Sequence, residues 1–281
     1  MRKVLKISYG VALAAIMLFA PSCASKFQKL RKSTNVKNKL AGADSYYEAK
    51  KYYKASLLYE EIQPVLRGAR EGEDVLYKLA YSHFYQKDYI IASHYFERFY
   101  NTYGRSPRAE EARYQAALCK YNESPRSSLD QSSTKEAAEA MQSFLNRYPN
   151  SEHKQEATKI IDEMQNKLAL KAFENARQYF KISKFKAAVV AFENFRKGYP
   201  DSDYNEEAGF MKIKAQYEYA KLSFYLKQKE RFQKAIRFYE DFVDRYPNSK
   251  YLKKAEKIYE NSIKEVKRLA GYEKPAPKKN S

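Results

Sequence analysis

Five times along this chain a small residue is followed by apolar residues at offsets of 4, 7 and 11, and that spacing leaves little freedom over the fold. The anchors are Ala55, Ala92, Ala137, Ala188 and Ala235. Four residues on stand Tyr59, Phe96, Met141, Phe192 and Tyr239; seven on, Ile62, Phe99, Phe144, Phe195 and Phe242; eleven on, Leu66, Tyr103, Tyr148, Tyr199 and Tyr246. Such offsets fall on one face of an α-helix. Twelve residues before four of the anchors stands another small residue, Ala43, Ala80, Ala176 or Ser223, which leaves room for a preceding antiparallel helix to approach closely. Tyr52, Tyr89, Phe185 and Phe232, three before their anchors, mark the turn between the two helices. The third copy breaks this rule with Pro125, and residues 122–132 read as an inserted loop.

Between copies lies a recurring junction, RYPNS at 147–151 and 245–249, YPDS at 199–202 and YGRS at 103–106. Pro ends one helix, and the Ser hydroxyl is expected to cap the next. The whole pattern resembles the tetratricopeptide repeat, although the usual first-helix Trp is absent. The resemblance implies an all-α, tetratricopeptide-like helical solenoid of about five helix pairs over residues 38–270. Its last helix, from Ser249 to about Ala270, would cap the stack with a solvated outer face. Residues 271–281 read as a disordered tail.

Only eight Gly and nine Pro occur in 281 residues, against 27 Tyr, which disfavours many-turned β folds. The formal net charge of +19 favours anionic partners. The N-terminus narrows the choice. Arg2, Lys3 and Lys6 precede an uncharged apolar run from Ile7 to Ala20, too short to span a membrane, so residues 1–22 read as a secretory signal peptide. Cys23 then stands where a bacterial lipoprotein carries its lipid, although Ala20 and Ser22 depart from the usual Leu and Gly or Ala before that Cys. Export argues against nucleic acid as a partner and for a membrane contact through lipid on Cys23. The other cysteine, Cys119, reads as a small buried hydrophobe. Residues 23–37, without an acidic side chain, read as a basic tether lying on anionic headgroups, spanning ~50 Å when extended, or equally as a soluble linker leading into the first helix turn.

Nothing in the sequence reads as an enzyme. His83, His94 and His153 form no metal-binding spacing, no nucleophile or phosphate-loop motif occurs, and neither metal nor cofactor is expected. Paired carboxylates such as Glu110–Glu111 point about 100° apart on a helix. Binding is the expected activity. The first helix of each pair lines the inner side of a solenoid, which makes Asp44, Tyr47, Tyr77, Tyr81 and Phe84 the candidate groove for an extended peptide, with Phe173, Arg177 and Phe180 on the same side of the fourth copy; the alternative is that these tyrosines simply pack between neighbouring helices.

Two stretches carry a family resemblance. SPRSSLDQSSTKEA sits where that family has its third-repeat insertion, in wording like the Bacteroidetes branch, and RYPNSEHKQEATKIIDEMQNKLALKAF matches its junction and long helix. With the signal peptide, Cys23 and five repeats, the chain resembles the BamD family of outer-membrane assembly lipoproteins. The resemblance implies a non-catalytic protein anchored in the outer membrane and facing the periplasm. Its partners would be the periplasmic repeat domains of the central β-barrel assembly protein, met by residues 185–270, and unfolded outer-membrane proteins, met by the groove residues above. A peptidoglycan-coordinating repeat lipoprotein and a glycan-binding nutrient-uptake lipoprotein are the rival readings.

Overall fold

The computed structural model describes residues 22–271, with side chains from Lys26 onward. All but the last residue of the expected signal peptide, the side chain of Cys23 and the tail beyond Gly271 lie outside that range. The described residues form twelve helices and no strand. In order they are α1 (Ser22–Lys32), α2 (Val36–Glu48), α3 (Tyr52–Ile62), α4 (Gly72–Tyr85), α5 (Tyr89–Thr102) and α6 (Ala109–Asn122). There follow α7 (Ser132–Arg147), α8 (Lys154–Lys181), α9 (Phe185–Gly198), α10 (Asn205–Lys221), α11 (Tyr225–Arg245) and α12 (Leu252–Ala270). The helices fall into two compact units. One takes the chain to Ser124 and then Ser132–Ile161; the other takes Pro125–Gln131 and the chain from Asp162 onward.

Within each unit consecutive helices pair as the repeat pattern requires. The first unit holds α2 with α3, α4 with α5, and α6 with α7. In the second, Ala169, Phe173 and Ala176 of α8 share a core with Ala188, Phe192 and Phe195 of α9, α10 pairs with α11, and α12 closes against both. All five anchor alanines are fully buried, as are Ala43, Ala80 and Ala176 opposite them. A larger side chain at these sites would force the helices apart.

The four junctions share one hydrogen-bond pattern. Tyr103, Tyr148, Tyr199 and Tyr246 each donate the backbone N–H to the carbonyl of the Phe four earlier, at 2.7–2.9 Å, and accept from the junction Ser N–H at 2.9–3.2 Å. The Ser carbonyl then receives the N–H three residues on, at the start of the next helix. Contrary to the expectation, the Ser hydroxyl does not cap that helix directly. It accepts the N–H two residues on, in Arg108, His153, Tyr204 and Tyr251, at 3.0–3.3 Å. The serine thus builds a turn ahead of the helix, because the chain still needs a bend before it can pack back.

The turns inside pairs follow a second rule. Lys50, Lys87 and Ser183, each five residues before its anchor, adopt left-handed φ values of 54°, 64° and 59°. The residue after each donates its N–H back across the turn, Lys51 to Tyr46, Asp88 to His83 and Lys184 to Tyr179, at 2.8–3.0 Å. This is the Schellman closure, made three times without glycine. The fifth pair departs from it. Helix α11 starts ten residues before Ala235, whereas α3, α5 and α9 start three before their anchors.

The expected tether is corrected. Residues 22–32 form helix α1, and Phe27 is buried in the core shared by Ala43, Ala55, Leu58 and Tyr59. Its ring meets Tyr46 edge-on at 5.6 Å, with the Lys54 ammonium 5.5 Å above it. Arg31 and Lys39 both bind Glu61, at 2.9 and 2.6 Å. The Phe27 ring, the half-buried Leu30 and the single ion pair from Arg31 dock a segment whose remaining composition is that of a soluble linker, while Lys39 holds the same carboxylate from α2. Lys26, Lys29, Lys51 and Lys54 line a cleft of about 770 Å³ beside it. Cys119 is fully buried, and burial pushes its thiol up to about 12, which makes it a core residue rather than a nucleophile.

Candidate functional site

In the first unit, aromatic rings from α2, α3, α4 and α5 form a continuous ladder. Tyr47 meets Tyr52 at 5.6 Å, Tyr52 stacks on Tyr85 at 4.5 Å, Tyr85 lies 5.7 Å from Tyr81, and Tyr81 lies 4.9 Å from Tyr77. Behind it stand Phe96 and Phe99, 5.0 Å from Tyr81 and 5.1 Å from Tyr77. Spacings of this size hold edge-to-face and offset contacts that stabilise a ring assembly beyond its buried area.

Carboxylates fix the ladder. Asp44 accepts the Tyr59 hydroxyl at 2.7 Å and the Lys78 ammonium at 2.9 Å. Lys78 also binds Asp74 at 2.7 Å, and Asp74 binds Arg108 at 2.9 Å. The Arg108 guanidinium lies 4.9 Å over the Tyr77 ring. Glu111 of α6 accepts Tyr81 and Gln115 on one oxygen and His153 on the other, at 2.8, 2.8 and 2.9 Å. Burial raises the Glu111 carboxyl, but these hydrogen bonds outweigh it and hold the group below its ordinary range. Burial pushes the phenols of Tyr47 and Tyr81 up, so both stay neutral donors.

The structure brings the five candidate groove residues into one half of this unit but turns them largely inward. Asp44 is spent on Tyr59 and Lys78. Tyr47 packs on the core around Ala43 and Tyr59, while Tyr77, Tyr81 and Phe84 pack on that around Ala80, Phe96 and Phe99. The ring that does reach solvent is Tyr85, 49% exposed, backed by Tyr52. Tyr85 follows Tyr81 by four residues on the same helix face, which was the signal available for it. In the second unit Phe173 is buried rather than groove-lining. Arg177 lies 5.7 Å over it and binds Glu174, and Phe180 carries Lys214 at 5.1 Å.

Comparison with known proteins bears on this arrangement. A family model described as outer membrane lipoprotein, YfiO, matches residues 34–224, which span the whole ladder. The chain belongs to this YfiO family. A tetratricopeptide-repeat model also matches residues 214–249, across α10 and α11, in accord with the repeat read from the anchors. Similar proteins named outer membrane protein assembly factor BamD occur in Caulobacter vibrioides and two Neisseria. The Caulobacter protein is 29% identical over 135 residues, 48% of this chain and 44% of that protein. The Neisseria gonorrhoeae protein is 27% identical over 223 residues, 74% of this chain and 81% of its own length. That of Neisseria meningitidis serogroup A is 26% identical over the same shares. This YfiO-family chain therefore spans less than half of the Caulobacter relative and about four-fifths of the Neisseria ones. The family assignment agrees with the resemblance carried by the insertion and the RYPNS helix.

Proposed function

We propose that this protein is a non-catalytic component of the machinery that assembles β-barrel proteins in the outer membrane, anchored by lipid on Cys23 and facing the periplasm. The family match over residues 34–224 carries the reading, and the names of the Caulobacter and Neisseria relatives support it. In this account the aromatic ladder receives unfolded clients. Tyr85, stacked on Tyr52, offers an apolar face with a polar edge to an extended strand bearing aromatic side chains. Two-torsion rings give contact area at low entropy cost. Tyr47, Tyr77, Tyr81 and Phe84 hold that face in place, and Asp44 and Glu111 hold them. Such a shallow surface binds weakly, which suits a carrier that must release its client. Helices α9 to α12 of the second unit would meet the periplasmic domains of the central barrel protein.

A photo-crosslinking amino acid in place of Tyr85, in the full chain in living cells, tests the client site. The reading requires adducts with newly exported outer-membrane barrel proteins. Adducts with peptidoglycan factors or a glycan transporter alone would move the function to another envelope role.

A further inference from the structure

The fifth helix pair carries a feature that neither the repeat nor the client reading uses. Its inner turn lacks the left-handed closure of the first, second and fourth pairs. Because α11 begins seven residues early in the register, its first turns run about 10 Å past the usual start of a second helix. At this tip Leu222, Phe224 and Leu226 are 72%, 75% and 74% exposed, with Tyr225 beside them. Apolar side chains so exposed and so close together are rare on a soluble surface without a purpose.

The tip is built, not loose. Gln228 donates to the carbonyls of Lys221 and Ser223 at 3.1 and 3.0 Å. The Ser223 hydroxyl bonds the Tyr219 carbonyl and receives Arg231. Under it Phe232 packs with Ala220 and Leu269 of α12. Residues 218–231 and 264–268 carry seven cations against three carboxylates, Glu218, Glu230 and Glu265. Lys221, Lys227, Lys267 and Arg268 of this rim are exposed; the three carboxylates bind Lys221, Lys227 and Arg268 in turn.

We infer that this turn is a membrane wedge: Leu222, Phe224 and Leu226 enter the interface of an anionic bilayer while the surrounding cations meet its headgroups. An apolar tip in a basic collar matches the chemistry of that interface. Three side chains on a narrow turn expose on the order of a few hundred Å², well short of the about 800 Å² each partner buries in a stable protein interface. The family is one of outer membrane lipoproteins, which puts a bilayer within reach, and no described helix is long and apolar enough to cross it. The inference does not depend on how clients are held, and it takes only the turn between α10 and α11 from the surface proposed for the barrel partner, leaving the rest of α9 to α12 to that contact.

The chain has no Trp, so Phe224→Trp in the full-length protein gives a single reporter at the tip. The purified variant is reconstituted into vesicles of phosphatidylethanolamine and phosphatidylglycerol, with and without bromine on the acyl chains. Because the probe reads the depth of the turn, a lipid anchor elsewhere does not confound it. The wedge predicts blue-shifted emission, loss of most of it in brominated vesicles, and shielding from acrylamide in the water. Adding Leu222→Ser and Leu226→Ser should abolish all three while the helical circular dichroism and melting temperature stay unchanged. Emission that is equal in both vesicles and open to acrylamide overturns the inference. Shielding that appears only when the barrel partner is added also overturns it, and assigns the turn to a protein contact.

Discussion

Tyr81 donates its hydroxyl to Glu111 at 2.8 Å, and the same carboxylate takes the His153 imidazole at 2.9 Å on its other oxygen. A ring expected to face a client is thereby tied to the next repeat. His153 in turn stacks on the buried Tyr114 at 4.0 Å. Tyr81→Ala is therefore expected to lower stability by ~2–4 kcal/mol, through the lost packing on Phe96 and the opened space. Tyr81→Phe, which keeps the ring, should cost only ~1 kcal/mol. Urea unfolding of both variants checks this ordering; equal, small losses would mean that the ring contributes no packing.

Acid should weaken the first unit through Glu111. Unfolded, this group takes up its proton near the ordinary 4.5; folded, it resists until a lower pH. Its contribution to stability is complete above that ordinary value and is lost as pH falls through the folded one. Glu111→Gln should therefore flatten the acid limb of melting temperature against pH, and leave a nearly constant offset at neutral pH. An unchanged acid limb would mean that Glu111 is not perturbed.

Asp44 is a structural acceptor in this account. The Tyr59 side chain is fully buried, and Asp44 receives its hydroxyl at 2.7 Å. Asp44→Ala should cost ~1–3 kcal/mol, because it leaves a buried donor unpaired. Tyr59→Phe together with Asp44→Ala should recover part of that loss, and a double-mutant cycle by denaturant titration measures the coupling. Strict additivity would refute the pairing.

Lys87 holds a left-handed φ of 64° to close the turn between α4 and α5. A side chain there pays the steric penalty that glycine escapes. Lys87→Gly is expected to raise stability by ~0.5–1 kcal/mol, net of the greater freedom glycine gives the unfolded chain. Thermal unfolding shows the sign; a loss would mean that the lysine stem contributes packing worth more than the strain.

Where the sequence was legible, one physical demand determined the residue. The anchor positions admit only small side chains, so Ala55 to Ala235 drew the helix pairs unaided. The closing turns were not legible, because Lys50, Lys87 and Ser183 accept the left-handed conformation without the glycine that would announce it. Helix α1 was missed because a single buried ring, Phe27, docks a segment otherwise rich in lysine. The orientation of the tyrosines was hidden for a different reason. A phenol serves equally in a core with its hydroxyl bonded, as Tyr81 does, or on a surface, as Tyr85 does. At the head of α11, nothing in the sequence marks Phe224 and Leu226 as exposed; the early start of the helix carries them beyond the core.

The central claim is membership of the outer-membrane assembly machinery, and affinity isolation tests it most directly. The tagged full-length chain would be drawn from detergent-solubilised envelopes and its companions identified by mass spectrometry. The account predicts stoichiometric recovery of a large outer-membrane barrel protein bearing periplasmic repeat domains. Recovery of peptidoglycan factors or a glycan transporter without such a barrel would contradict it, and would leave the helical repeats standing under a different function.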